Sequence, residues 1–284
     1  MIDKPGSYRI SEVDYHADNL CSVPSLSRGT IKRLVMQTPR HAWYAHPRLN
    51  PNFKAEEKDI FDMGKAAHAL FLEGLDKAVV VAADSWRTKE AKEAKDKAHK
   101  EGKIPLLFEQ YGRIKTMVGV AHESLANSEL AIRVEDGDSE LSYLWTEHET
   151  QCKIRPDWIS DDRTIILDYK TTGQLADPET YVSIITSTGL DIQDAFYGRG
   201  VNTIERSDPR FYFFVQETSE PYLCSLISLD EMFKDMGAQK VHKGIELWRR
   251  CMSTGKWPGY PRHIYTVEPR PWALSAWEMR QAQL

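Results

Sequence analysis

Two runs of alternating apolar and polar residues stand either side of a short polar break. Gln151 to Ser160 and Thr164 to Thr171 carry β-branched residues at strand spacing, and Ser160-Asp161-Asp162-Arg163 supplies the turn between them. The period of two sets Lys153, Arg155 and Asp157 on one face of the first run, and Ile166, Asp168 and Lys170 on one face of the second. A hairpin centred on Asp162 and Arg163 would place positions 157 and 168 opposite each other, with Cα atoms about 5 Å apart. A third alternating run, Glu140 to Trp145, predicts a strand preceding the hairpin in the same sheet. Arg210 to Glu217 and Tyr222 to Ser228 predict two more. Helical spacing marks Phe61 to Glu73, Phe108 to Asn127, Asp191 to Gly200 and Leu229 to Ser253, the last with Trp248 buried, and another helix begins near Ser27. Strands between helical segments predict an α/β fold with a mixed central β-sheet flanked by helices.

The hairpin register has a chemical consequence. Asp157 and Asp168 would share one small volume, where like charges raise each other's pKa unless a cation sits between them. Carboxylate oxygens suit hard ions such as Mg²⁺ or Mn²⁺. Ile165-Ile166-Leu167 runs straight into Asp168, so the charge falls at the end of a buried strand, where it is costly unless paired or metal-bound. Lys170 points to the same face, and an ammonium there can hold an attacking water or stabilise charge developing on a phosphate. Pro156-Asp157 followed by Asp168-Tyr169-Lys170 therefore outlines a metal-dependent nuclease site, although an acidic pair with a nearby lysine also occurs on solvated hairpins.

Other residues with ligand chemistry accumulate around this outline. His68 follows Gly64 by one turn on the helix Phe61 to Glu73, and Gly64 lets another backbone approach that face. Two readings of His68 stand open: a structural histidine bonded to a carbonyl, or a metal ligand carried over the strand ends. Glu140 is either a second carboxylate ligand or an edge glutamate. Gln193 and Tyr197, at i and i+4, share one helical face. Phe211 to Phe214 is open to misreading as a base-stacking platform, but four consecutive aromatics in a strand favour core on both faces.

At 284 residues, 41% hydrophobic and 10% aromatic, the chain can bury one substantial core, and no Pro/Gly/Ser-rich linker divides it. One domain is expected, with 1–60 an N-terminal helical part and 61–284 the core. No run of about 18 uninterrupted apolar residues suggests a membrane span, and Met1 to Ile10 lacks the apolar centre of a signal peptide, so a cytoplasmic location is expected. Cys21, Cys152, Cys224 and Cys251 are scattered, which argues against disulfides, zinc sites and iron-sulfur clusters.

A formal charge of −5 is awkward for a DNA-binding protein, because phosphate attraction comes from clustered lysine and arginine. Distribution can override the total. Arg28, Lys32, Arg33 and Arg40 recur at roughly helical spacing, and the helix starting near Ser27 offers free amides to an anion. Between Arg87 and Lys103 basic residues outnumber acidic ones, either as a phosphate-facing surface or as a solvated helix laced with i,i+4 ion pairs.

The order G-x(3)-H, E, P-D, D-x-K, Q-x(3)-Y resembles the RecB-like branch of the PD-(D/E)xK nucleases. The flanks Leu26 to Pro39, Gly64 to Gly74, Cys152 to Asp157, Gln193 to Tyr197 and Trp257 to Tyr260 are similar to RecE-type exonuclease VIII nuclease domains. Tyr169 departs from the aliphatic residue usual at its position, and Val267 to Trp272 is an altered form of that family's ending. The resemblance implies His68, Asp157, Asp168 and the Tyr169 carbonyl as metal ligands and Lys170 as the catalytic lysine. It also implies Glu140, Gln193 and Tyr197 as supporting site residues, and the N-terminal basic residues as DNA contacts. It further implies a Mg²⁺-dependent 5′→3′ exodeoxyribonuclease with two ions per site, Mn²⁺ substituting. Such an enzyme would form a homotetrameric ring, resect double-stranded DNA ends and work with a RecT-like single-strand annealing protein. An endonuclease or helicase-associated module of the same fold, or a non-catalytic DNA-end binding protein, remain the alternatives.

Overall fold

The computed structural model describes residues 1–2, 4–54, 63–74 and 77–284. Its N-terminal part runs β1 (Gly6–Tyr8), α1 (Glu12–Ala17), β2 (Leu26–Ser27), α2 (Arg28–Met36) and α3 (Pro39–Tyr44). Next come α4 (Met63–Glu73), β3 (Ala78–Val81), α5 (Lys89–Lys100), β4 (Ile104–Leu107) and α6 (Phe108–Ala126). The strands β5 (Gly137–Ser139), β6 (Ser142–Glu147), β7 (Thr150–Ile154), β8 (Trp158–Ser160) and β9 (Ile165–Thr172) follow. The rest is α7 (Pro178–Thr188), α8 (Leu190–Glu205), β10 (Arg210–Glu217), β11 (Cys224–Ile227), α9 (Glu231–Thr254) and α10 (Pro271–Gln281). Of the helix expected from Phe61, residues 61 and 62 lie outside the described residues.

The fold is α/β with mixed sheets, but the strands divide between two main sheets and a small one. The five-stranded sheet has the order β11-β10-β9-β8-β5, the four-stranded sheet β1-β6-β7-β2, and β3 pairs with β4. Within the larger sheet β9 and β10 are parallel and the other neighbours antiparallel. The expected hairpin is present: Trp158 pairs with Leu167 and Ile159 with Ile166, the register that sets 157 against 168.

Two expectations need correction. The run Gln151 to Ser160 is not one strand, because the chain breaks at Arg155 and Pro156; β7 belongs to the smaller sheet and β8 to the larger. Proline lacks the N–H a continuous ladder needs, and it disfavours regular continuation at the residue before it. The run Glu140 to Trp145 does not precede the hairpin in its sheet either: its strand, β6, starts at Ser142 and lies in the smaller sheet, and Glu140 opens no strand. It lies between β5 and β6, at a φ of 56°, where the chain passes from the larger sheet to the smaller.

Helix ends follow local chemistry. Ser27 caps α2 by accepting from the Thr30 amide, Asp177 caps α7 ahead of Pro178, and Asp230 caps α9. Gly189, at a φ of 65°, makes the left-handed turn between α7 and α8. The lysine-rich segment is the helix α5, packed on β3 and β4, with Lys89–Glu93 and Lys97–Glu101 pairs at 3.8 and 4.0 Å. Much of that segment is thus an exposed helix with i,i+4 ion pairs along it.

Both faces of the larger sheet are covered. Leu167, Tyr169 and Phe214 pack under α4 and α6 through Leu70, Phe71, Ile114 and Met117. Ile166, Phe211 and Phe213 face α8 and the smaller sheet through Phe196, Trp145 and Ile154. The aromatic run of β10 is therefore core on both sides, and Trp248 is buried as expected. None of the four cysteines forms a disulfide. Among the described residues no helix is long and apolar enough to cross a membrane.

α8, which carries Gln193 and Tyr197, is gripped by α9 at very short range. A Cβ added at Gly237 would lie 2.2 Å from the Asp191 carbonyl oxygen, a backbone atom that cannot swing aside. Gly237→Ala is expected to destabilise the protein by about 1–3 kcal/mol through overpacking, although alanine is intrinsically the better helix former. Chemical denaturation of the two proteins checks this; equal or greater stability of the alanine variant would show that the helices separate without cost.

Candidate active site

The site lies where the β8–β9 hairpin meets the crossing points between the two sheets. Asp157 sits just before β8 and Asp168 in the middle of β9, the latter completely buried. Both fall on one side of the hairpin, as the alternation predicted. Asp157 Oδ2 accepts the Tyr169 amide at 2.8 Å, which ties the two strands together beyond their last ladder pair. Lys170 Nζ pairs with Asp168 Oδ2, and Gln193 Nε2 donates to Asp168 Oδ1. One carboxylate is thus held by a cation from its own strand and an amide from α8.

α4 brings His68 over the strand ends from the opposite layer. Its Nε2 stands 2.9 Å from Asp157 Oδ2, and its ring stacks on Tyr169 at a centroid distance of 5.7 Å with the planes 19° apart. Tyr169 is in turn buried against Phe71 and Phe214, and its hydroxyl donates to Gln216 Oε1. The residue that departs from the aliphatic pattern therefore forms the floor under the imidazole. Tyr169 thus touches this cluster twice, through its ring under His68 and through its backbone amide on Asp157.

Glu140 completes the arrangement. His68, Glu140 and Asp157 each offer a ligand atom, and the three atoms lie within 4.8 Å of one another. One imidazole nitrogen and two carboxylates, all half-buried, form a donor set that fits a divalent cation. Asp168, expected in the ligand set, is not among these three; its oxygens are turned to Lys170 and Gln193. Glu140 takes a place that the sequence left between ligand and edge residue. Its backbone N–H donates to the Asp157 carbonyl at 3.0 Å, and its carboxylate accepts from Arg155 Nε at 2.6 Å.

The electrostatics are those of carboxylates crowded together and shielded from water. Burial pushes Glu140 up to about 7, Asp157 adding to the rise and Arg155 opposing it. Burial likewise raises Asp168, more than Lys170 pulls it back. For Asp157 burial acts in the same direction, but Lys170, His68 and the Tyr169 amide outweigh it and hold the carboxyl below its usual range. Burial alone would favour neutral Lys170, yet Asp168 and Asp157 overcome it and raise its pKa. His68 is raised too, because Asp157 outweighs the burial that would lower it. The lysine is thereby kept as an ammonium, a donor and a positive charge, not a base.

Tyr197 is buried one turn after Gln193 and interacts electrostatically with Asp168, Asp157 and Arg28. Arg28, at the start of α2, is half-buried and donates to the Thr188 and Gly189 carbonyls at 3.1 and 3.0 Å; its charge reaches Asp168 and Lys170. Lys32 is half-exposed on the next turn, and Arg33 donates back to the Gly29 carbonyl at 3.1 Å. Arg40 belongs to α3, lies over the Trp43 ring at 5.6 Å and is not drawn into the site. Arg28, Arg33, Lys153, Tyr15 and Tyr197 line a cavity of about 370 Å³. Sequence reasoning overlooked Tyr15 and the part played by Arg155, although Arg155 was placed on the same face as Asp157.

Comparison with known proteins agrees with this geometry at the level of the fold. A structure from Eubacterium rectale described as a "putative exonuclease" superposes with a TM-score of 0.59 at 11% identity, covering 95% of this chain and 99% of its own. No curated protein matches. Residues 32–268 match the family described as a PDDEXK-like domain of unknown function (DUF3799), which spans Lys170, His68, Glu140 and both aspartates. The chain belongs to this family of PDDEXK-like domains.

Proposed function

We propose that the protein is a Mg²⁺-dependent exodeoxyribonuclease of the RecE type that resects linear duplex DNA in the 5′→3′ direction. The observation that carries the nuclease reading is the convergence of Asp157, Asp168 and Lys170 on one hairpin with His68 and Glu140 at its rim. A divalent ion held by His68, Glu140 and Asp157 would lower the pKa of a bound water and neutralise charge on the scissile phosphate. The remaining work falls to the chain itself. Lys170 Nζ, kept protonated by the aspartates, orients the attacking water or donates to a phosphate oxygen as negative charge builds there. Gln193 fixes one Asp168 oxygen, so that carboxylate and lysine stay in one geometry.

The end-directed reading draws on the resemblance and on the N-terminal cations. Arg28 reaches the site through the field it exerts on Asp168 and Lys170, and is our candidate for reading a terminal 5′-phosphate; Lys32 and Arg33 extend the positive surface. A homotetrameric ring and a RecT-like annealing partner belong to the same proposal. The "putative exonuclease" description of the Eubacterium rectale protein is consistent with it.

The reading is tested with a 5′-labelled linear duplex, a 3′-labelled duplex and a closed circular plasmid, each incubated with Mg²⁺. Early release of the 5′ label with intact circles is the expected result; linearised or fragmented circles would make the enzyme an endonuclease of the same fold, and no cleavage of any substrate would remove the nuclease reading.

Lys170→Ala is expected to lower the cleavage rate by about 10²–10³-fold or more without unfolding the chain, since the buried Asp168 left behind can take up a proton. A variant keeping a tenth of the rate would remove lysine from the mechanism.

His68→Ala should weaken Mn²⁺ binding in calorimetry by about 10–100-fold, while the melting temperature of the metal-free protein changes little. A large fall in melting temperature with unchanged metal affinity would instead make His68 a packing residue on Tyr169.

A further inference from the structure

We propose that Arg155, seated on the ring of Tyr15, is a positioning residue that holds Glu140 in the metal-binding group. The proposal rests on the reading of His68, Glu140 and Asp157 as ligands. Arg155 Nε donates to Glu140 Oε2 at 2.6 Å and lies 3.3 Å from the Glu140 carbonyl, so one N–H grips side chain and backbone together. Its guanidinium lies over Tyr15, with Cζ 5.7 Å from the ring centroid. Both side chains of the pair are largely shielded, at 13% and 25% exposure, which makes the contact more than a loose surface ion pair.

Glu140 needs such a clamp because its backbone stands at a φ of 56°, a conformation that non-glycine residues adopt at some cost unless their surroundings enforce it. It belongs to neither neighbouring strand, so ladder hydrogen bonds do not fix it. Arg155 and the Asp157 carbonyl do so instead, from the residues flanking Pro156. A carboxylate with one oxygen taken by a guanidinium keeps the other for a cation, which is how a partner outside the ligand set orients a ligand.

The clamp is anchored in turn. The Tyr15 carbonyl accepts from Lys153 Nζ at 2.6 Å, Lys153 pairs with the buried Asp18 at 2.7 Å, and Asp18 accepts from the Ser25 amide at 2.9 Å. Helix α1 thus reaches the metal group through Tyr15, Arg155 and Glu140, a route that gives an N-terminal element lacking any ligand a stake in ion binding. Arg155 acts on Glu140 and touches no reacting atom.

The experiment measures Mn²⁺ affinity of the full chain by calorimetry, without DNA, for the unmodified protein, Arg155→Met, Glu140→Gln and the double variant, with melting temperatures recorded alongside. Arg155→Met is expected to weaken binding by about 10–100-fold in the unmodified background and to add less than about twofold once Glu140 has been changed. Arg155→Lys keeps the charge but not the planar fork, and should fall between the two. If Arg155→Met does not fold, the Arg155→Lys cycle with Glu140→Gln is judged by the same coupling. Affinity within about twofold of the unmodified chain, or losses that simply add in the double variant, would overturn the assignment. Failure of the unmodified chain to bind Mn²⁺ would overturn the metal reading itself, and the positioning role with it.

Discussion

The opposition of Asp157 and Asp168 across one antiparallel hairpin is the constraint around which the other elements arrange themselves. A register that serves the core, with Leu167 and Ile166 buried on opposite faces, also drives a carboxylate into a place with no water. Several kcal/mol per ion is the scale of penalty for leaving such a charge unpaired. The fold answers Asp168 from two directions, with Lys170 on the same strand and Gln193 from α8, while His68 from α4 pairs with Asp157 across the hairpin. The close approach of α9 at Gly237 belongs to this account, because it fixes the helix that delivers Gln193. The Tyr169 ring belongs to it as well, since it supports the imidazole from below.

Much of this was legible from local pattern. The hairpin register, the shared face of Asp168 and Lys170, the start of α2 at Ser27 and the double-sided burial of β10 all follow from periodicity and capping over a few residues. What stayed hidden depended on distant partners. The place of Glu140 beside His68 and Asp157 was not readable, because its position comes from β5 pairing with β8 and from a left-handed turn that no residue type advertises. The division of Gln151 to Ser160 between two sheets was signalled by Pro156, but its meaning required knowing that β7 has β6 and β2 as neighbours. His68 was open for a similar reason: only the stacking of α4 over β9 brings its nitrogen to Asp157.

The overall negative charge also finds a physical account. Helix α5 packs on the two-stranded sheet through Ala91 and Ala98, with Lys89 and Lys97 paired to glutamates and Lys89, Lys92, Lys97 and Lys100 exposed. Arg28 stands close enough to influence Asp168 and Lys170, with Lys32 and Arg33 behind it on the same helix. Local cation placement matters more for a phosphate backbone than the sum over the chain, because screening limits reach to about 10 Å at moderate salt.

Glu140 and Asp157 mark two direct crossings between the main sheets, from β5 to β6 and from β7 to β8. Their carboxylates therefore report on the relative placement of those sheets: a slide or rotation of one against the other changes the separation of the two oxygens before it disturbs any strand pairing. The spacing of these two proposed ligands and the packing of the sheets become a single mechanical coordinate. A substitution deep in the shared core, such as one at Trp145 or Ile154, would then be read out at the site without touching it, while an ion gripping both crossings would resist the shear that such a substitution permits.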